Sequence, residues 1–160
     1  MAADSYILRN DSRKNDCKFT DVTAELAPGL LKLGLVTSAL WTDVDNDGWV
    51  DLLLVGEFMP ITCYKNNVGK TFTPINKEGF AHTSGWWNSL VAGDFDNDGD
   101  TDYVAGNLGL NSRYKGNTKE PVCIYAADYD KNGSIDPVMT YYIQGVKYIV
   151  HSRDELISQI

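Results

Sequence analysis

Three nine-residue windows of this chain share one pattern: Asp43-x-Asp45-x-Asp47-Gly48-x-x-Asp51, Asp94-x-Asp96-x-Asp98-Gly99-x-x-Asp102 and Asp128-x-Asp130-x-Asn132-Gly133-x-x-Asp136. Each window lies between two apolar runs, the arrangement expected of two strands joined by a long hairpin loop. The threefold recurrence makes the chain a repeat protein and constrains it to hairpin-built architectures. The windows begin at 43, 94 and 128, so the steps are 51 and 34 residues. Such irregular spacing implies a shortened or interrupted unit, placed most naturally around 107–121.

The run after the first window, Leu52-Leu53-Leu54-Val55, is apolar at every position. A strand of this kind is covered on both faces. Residues 61–65 and 71–74 predict two shorter strands about a turn at Asn66-Asn67-Val68-Gly69, giving a four-stranded unit over 36–75. Residues 6–9 and 18–23 predict the last two strands of a preceding unit. Further hairpins are expected over 86–107 and 122–151, with 108–121 as an insert. Ser152-Arg-Asp-Glu155 has the form of a capping box, with Ser152 as N-cap, and predicts a short helix over 152–160. Four-stranded units at this period point to an all-β fold of about three blades of a β-propeller, part of one domain over 1–160. A sandwich or a β-solenoid also spaces short strands regularly.

Acidic residues number 22 against 14 basic ones, for a net charge of −8. Of these, 17 are Asp, and 12 of them fall in the three windows; outside the windows basic residues outnumber acidic ones. The acidity is local. It argues against a nucleic-acid partner, which needs a clustered Lys/Arg surface. No apolar run approaches the roughly 18 residues of a membrane span, so no membrane insertion is expected. Cys17, Cys63 and Cys123 are an odd number without paired spacing, which speaks against a disulfide framework or a CxxC metal site. The opening residues show no signal peptide. The chain starts in a strand-like run and stops soon after its helix begins, so it reads as a piece of a larger protein.

Carboxylates at positions 1, 3, 5 and 9 of a loop repel one another unless a cation joins them. Ca²⁺ suits them, because it takes six to eight oxygens at variable geometry. Mg²⁺ suits them less, since it keeps its waters. With the position-7 carbonyl included, the candidate ligands are Asp43, Asp45, Asp47, Trp49 and Asp51; Asp94, Asp96, Asp98, Asp100 and Asp102; and Asp128, Asp130, Asn132, Ser134 and Asp136. The bland alternative is three solvated Asp-Asn-Gly turns. An EF-hand is ruled out, because position 12 is Leu54, Ala105 or Met139 rather than a bidentate Glu. Asn132 removes one charge and Pro137 follows position 9 directly, so the third of up to three Ca²⁺ sites is expected to be the weakest.

These windows, with Tyr6-Ile-Leu-Arg-Asn10, Lys18-Phe-Thr-Asp-Val-Thr23, Gly56-Glu-Phe-Met-Pro-Ile61 and Thr83-Ser-Gly-Trp-Trp-Asn-Ser89, resemble the FG-GAP/VCBS repeat of integrin-α-like β-propellers. The wording between the loops looks most like bacterial, Bacteroidota-like VCBS-repeat proteins. The resemblance implies a multi-bladed propeller of an extracellular, cell-surface or periplasmic protein, with Ca²⁺ in outer hairpin loops. Its ligand, a protein or a glycan, is left open. About three blades cannot close a propeller. Self-association through open sheet edges, or edges covered by the insert and the C-terminal segment, is the expected consequence.

No catalytic signature is present: no G-x-S-x-G, H-E-x-x-H, phosphate loop or dinucleotide fingerprint. His82 and His151, the two histidines, are read as surface or edge residues. Trp86-Trp87-Asn88 could stack a sugar, although alternation would place one Trp in the core and one at an edge. The favoured function is a non-catalytic scaffold stabilised by Ca²⁺. The alternative is a segment of a polysaccharide-active enzyme whose catalytic residues lie elsewhere.

Overall fold

The all-apolar run becomes the centre of strand β4 (Asp51–Met59), where Leu52, Leu53, Leu54 and Val55 are each at most 4% exposed. Burial on both faces follows, as the lack of alternation requires. The computed structural model describes residues 4–75 and 78–159, in two compact units that meet in sequence between Asn107 and Leu108.

In the first unit, β3 (Leu35–Thr42) pairs with β4 along its length, β5 (Thr62–Asn66) with the other edge of β4, and β6 (Phe72–Ile75) with β5. The result is an antiparallel meander over 35–75. β7 (Gly85–Gly93) joins the same sheet at Glu57 and Met59 of β4, and β8 (Asp102–Asn107) forms its outer edge. Leu52 and Leu54 point to a core shared with Ala27, Leu30 and Tyr64, with Ile7, Leu33, Val36 and Phe72 packed against it. β3 shows the half-buried alternation of a strand with one covered face.

β1 (Leu8–Asn10) and β2 (Phe19–Asp21) pair antiparallel in a separate two-stranded sheet. The strand expected over 18–23 ends early, because Asp21 Oδ1 accepts both the N–H (2.9 Å) and the hydroxyl (2.7 Å) of Thr23. Thr23 instead opens a one-turn helix, α1 (Thr23–Leu26), followed by a 3₁₀ turn at Pro28–Leu30. Its buried Oγ1 accepts the N–H of Ile7 at 2.7 Å, so one side chain ties the helix back to the strand pair. A second one-turn helix, α2, spans Glu78–Ala81.

Close backbone approach governs the junction of β3 and β4. A Cβ on Gly56 would lie 2.2 Å from the Leu35 carbonyl oxygen and 2.6 Å from Met59 Sδ. Pairing slips nearby, between Glu57 and Met59, with Phe58 in the left-handed region (φ 56°). Gly56→Ala is therefore expected to destabilise the protein by about 3 kcal/mol or more, measured by urea unfolding. A loss below about 0.5 kcal/mol, the scale of an ordinary surface change, would show that the two strands stand further apart.

The second unit holds a three-stranded antiparallel sheet of β9 (Cys123–Ala127), β10 (Asp136–Ile143) and β11 (Val146–Ile149). Sequence reasoning expected only a hairpin over 122–151 and missed β11 as a separate strand. The signal lay in Gln144-Gly145, which take φ of 49° and 82° and make the two-residue turn that right-twisted strands favour. Between β8 and β9 the chain forms a 3₁₀ turn at Gly109–Asn111 and no strand. The helix α3 (Arg153–Gln159) carries its reciprocal cap: Ser152 N–H donates to Glu155 Oε2 at 2.7 Å, and Glu155 N–H donates to Ser152 Oγ at 3.2 Å. Among the described residues the fold is all-β, with three antiparallel sheets and little helix.

Candidate metal centre

The three acidic windows connect β3 to β4, β7 to β8 and β9 to β10, each the loop of an antiparallel hairpin. One hydrogen-bond network recurs in all three. The carboxylate at position 1 accepts the N–H groups of positions 5 and 6: Asp43 from Asp47 and Gly48 (3.1 and 2.8 Å), Asp94 from Asp98 and Gly99 (3.2 and 3.1 Å), Asp128 from Asn132 and Gly133 (3.0 Å each). The side-chain oxygen at position 5 accepts the N–H of position 7, from Trp49, Asp100 or Ser134. Position 9 reaches back across the loop: Asp51, Asp102 and Asp136 accept the N–H of Val44, Phe95 and Tyr129 at 2.9–3.0 Å.

The turn itself needs two left-handed residues. Position 6 is Gly48, Gly99 or Gly133 at φ 85–92°, and position 4 is Asn46, Asn97 or Lys131 at φ 56–63°. Glycine takes this conformation without steric cost, and Asn tolerates it better than most residues. Lys131 is a less natural occupant, a further departure of the third loop.

The network gathers positions 1, 3 and 9. Asp43, Asp45 and Asp51 each offer a carboxylate oxygen within 4.8 Å of the others, and the same holds for Asp94, Asp96 and Asp102 and for Asp128, Asp130 and Asp136. Two oxygens on opposite sides of one calcium ion lie about 4.6–5.2 Å apart, so this spacing suits a shared ion. The donors are all oxygen, the chemistry of a hard cation. Each of these three clusters could hold a metal ion. Asp47 and Asp98 lie outside the tight clusters, their Oδ1 turned to the position-7 N–H instead. The backbone at Trp49, Asp100 and Ser134 enters the network through its N–H groups.

The electrostatics differ between loops. In the second loop the charge of Asp98 holds Asp100 above the usual carboxylate range, as unshielded crowding should. In the first, the hydrogen bond from Lys65 holds Asp47 below that range, and Asp45 and Asp47 hold the Lys65 ammonium above its own. Burial differs as well. Asp51 is wholly buried and Asp136 nearly so, whereas Asp102 is half-buried on the edge strand β8.

Sequence reasoning missed two contributors from β5. Asn66 donates its N–H to Asp51 Oδ1 (2.8 Å) and its Nδ2 to the Val50 carbonyl (3.0 Å), and its Oδ1 accepts the Gly69 N–H (2.7 Å). Lys65 forms ion pairs with Asp45 and Asp47. Both stand in a strand more than ten residues beyond the window, so only the β4–β5 register reveals them.

Residues 43–105 match the family model of the FG-GAP-like repeat. This segment is similar to an FG-GAP-like repeat. The match takes in the first two loops and the strands between them, while the third loop lies beyond it and carries the same network. Comparison with curated proteins and with solved structures returned no match. Among the described residues no helix is long and apolar enough to cross a membrane.

The remaining sequence candidates fall elsewhere. Trp86 and Trp87 are both half-buried: Trp86 packs on Phe58 at 5.0 Å between ring centroids, and Trp87 Nε1 donates to the Thr83 carbonyl at 2.8 Å. The division into one core and one edge Trp does not hold, since both are half-buried. His82 is exposed, and His151 is half-buried. Among the described residues Cys17, Cys63 and Cys123 form no disulfide bond.

Proposed function

We propose that this chain is a calcium-stabilised segment of a β-propeller that works outside the cytosol as a non-catalytic scaffold for recognition of a protein or glycan. The observation that carries this reading is the threefold return of one carboxylate cluster at one place in a hairpin loop. The FG-GAP-like match supports it, and the four-stranded meander over 35–75 is a blade in this reading.

Calcium is preferred to magnesium because the loops supply many oxygens and few constraints on angle. Asp43, Asp45 and Asp51 hold the first ion, Asp94, Asp96 and Asp102 the second, and Asp128, Asp130 and Asp136 the third. The ion supplies charge neutralisation, joining strand ends that otherwise repel. Modules of this kind outside the cell bind at about 10⁻⁴ to 10⁻³ M, which cytosolic calcium would leave empty. A role in an exported protein follows from that arithmetic.

Isothermal titration with calcium tests the reading. Three ions per chain are expected, two after Asp94→Ala, with magnesium a poor competitor. Absence of calcium binding to the folded protein would refute it. A glycan array run with and without calcium then assigns the ligand class.

A further inference from the structure

Among the described residues, only the first loop has a cation reaching into it. Lys65 projects from β5, and its ammonium bridges Asp45 and Asp47, 2.6 Å from Asp47 Oδ2. The position is built by register: the next residue, Asn66, donates its N–H to Asp51, so β5 runs directly beside the mouth of the loop. The other loops lack this arrangement. Among the described residues no strand lies beyond β8, the edge of its sheet. On β11, Lys147 lies over the rings of Tyr125 and Tyr142 (5.7 and 5.3 Å) and donates to the Tyr125 hydroxyl. Among the described residues no Lys or Arg forms an ion pair with the second or third loop.

We propose that Lys65 is a tethered counter-ion of the 43–51 loop, competing with calcium for Asp45 while Asp47 holds its ammonium in place, so that this loop binds calcium more weakly than the 94–102 loop and fills after it. The proposal rests on the calcium-loop reading. An arriving dication must displace the ammonium or tolerate a like charge at close range, and either lowers affinity. The charge balance agrees. The first loop has Asp43, Asp45, Asp47 and Asp51 offset by Lys65, whereas the second has Asp94, Asp96, Asp98, Asp100 and Asp102 with no partner cation among the described residues. Because Lys65 is partly exposed, solvent and salt screen the pair, and the effect is about three- to tenfold in affinity.

Trp49, at position 7 of the first loop, is a built-in reporter for the test. Terbium luminescence excited through tryptophan, and its competition by calcium, follows this loop; Trp49→Phe confirms the assignment by removing the signal. Lys65→Met is expected to tighten calcium binding at the first loop by about three- to tenfold, with Lys65→Arg staying at the wild-type value. Titration calorimetry should show the 94–102 loop unchanged in both variants. A competition curve unmoved by Lys65→Met, in a protein that still binds calcium, overturns the proposal and leaves the calcium reading intact. Absence of calcium binding in the wild type overturns both. A chelator-state melt of Lys65→Met within about 2 °C of wild type shows that the variant is folded.

Discussion

Excess chelator is expected to lower the melting temperature of the 4–107 unit by about 10 °C or more. At about 1 mM free calcium and a Kd of about 10⁻⁴ M, each site contributes roughly 1.4 kcal/mol by linkage. Two sites lie in this unit, for about 3 kcal/mol. For a unit of this size each kcal/mol is worth about 4–8 °C. The 108–159 unit has one site but half the length, so its smaller unfolding entropy should give a shift of about the same size. Differential scanning calorimetry with calcium, with chelator, and with chelator followed by excess calcium makes the measurement. Restoration by calcium but not by magnesium is expected. Equal melting temperatures in all three conditions would remove calcium from the stability of the fold.

Loss of the Asp51 carboxylate should cost nearly as much, and without any metal. Asp51 is wholly buried and accepts two backbone N–H bonds, from Val44 at 3.0 Å and Asn66 at 2.8 Å. Asp51→Ala leaves two donors without an acceptor, each costing about 1–3 kcal/mol, so the expected loss is about 3 kcal/mol. Asp102→Ala, at the same position of the second loop, removes one such bond in a half-buried setting and should cost about 1 kcal/mol. Chemical denaturation of both variants in chelator separates this anchoring from ion binding. Equal losses for the two would show that the Asn66 bond and the burial of Asp51 contribute nothing.

Much of this site was legible before folding. Spacing alone identified the nine-residue windows, because Gly48, Gly99 and Gly133 can take the left-handed turn and the Asp residues around them have no reason to cluster otherwise. The strands 62–66 and 72–75 were legible within one residue from apolar runs and turn residues, whereas β4 runs four residues past the apolar run Leu52–Val55. Local signals served less well where a side chain competes with the backbone. Asp21 captures Thr23 and converts the end of an expected strand into a helix, and that choice depends on Ile7, far back in the chain, as the partner of the same hydroxyl.

The sequence by itself determined the all-β class, the two chain directions at each loop and which carboxylates stand at positions 1, 3, 5 and 9. These depend on contacts within some fifteen residues, where chain geometry leaves few choices. Tertiary structure decided which loops differ. β5 beside β4 buries Asp51 under Asn66 and brings Lys65 onto Asp45 and Asp47, while the edge strand β8 leaves Asp102 half open. Those neighbours arrive from outside each window, through strand register, and no local pattern records them. Three loops alike in sequence thus become three different electrostatic environments.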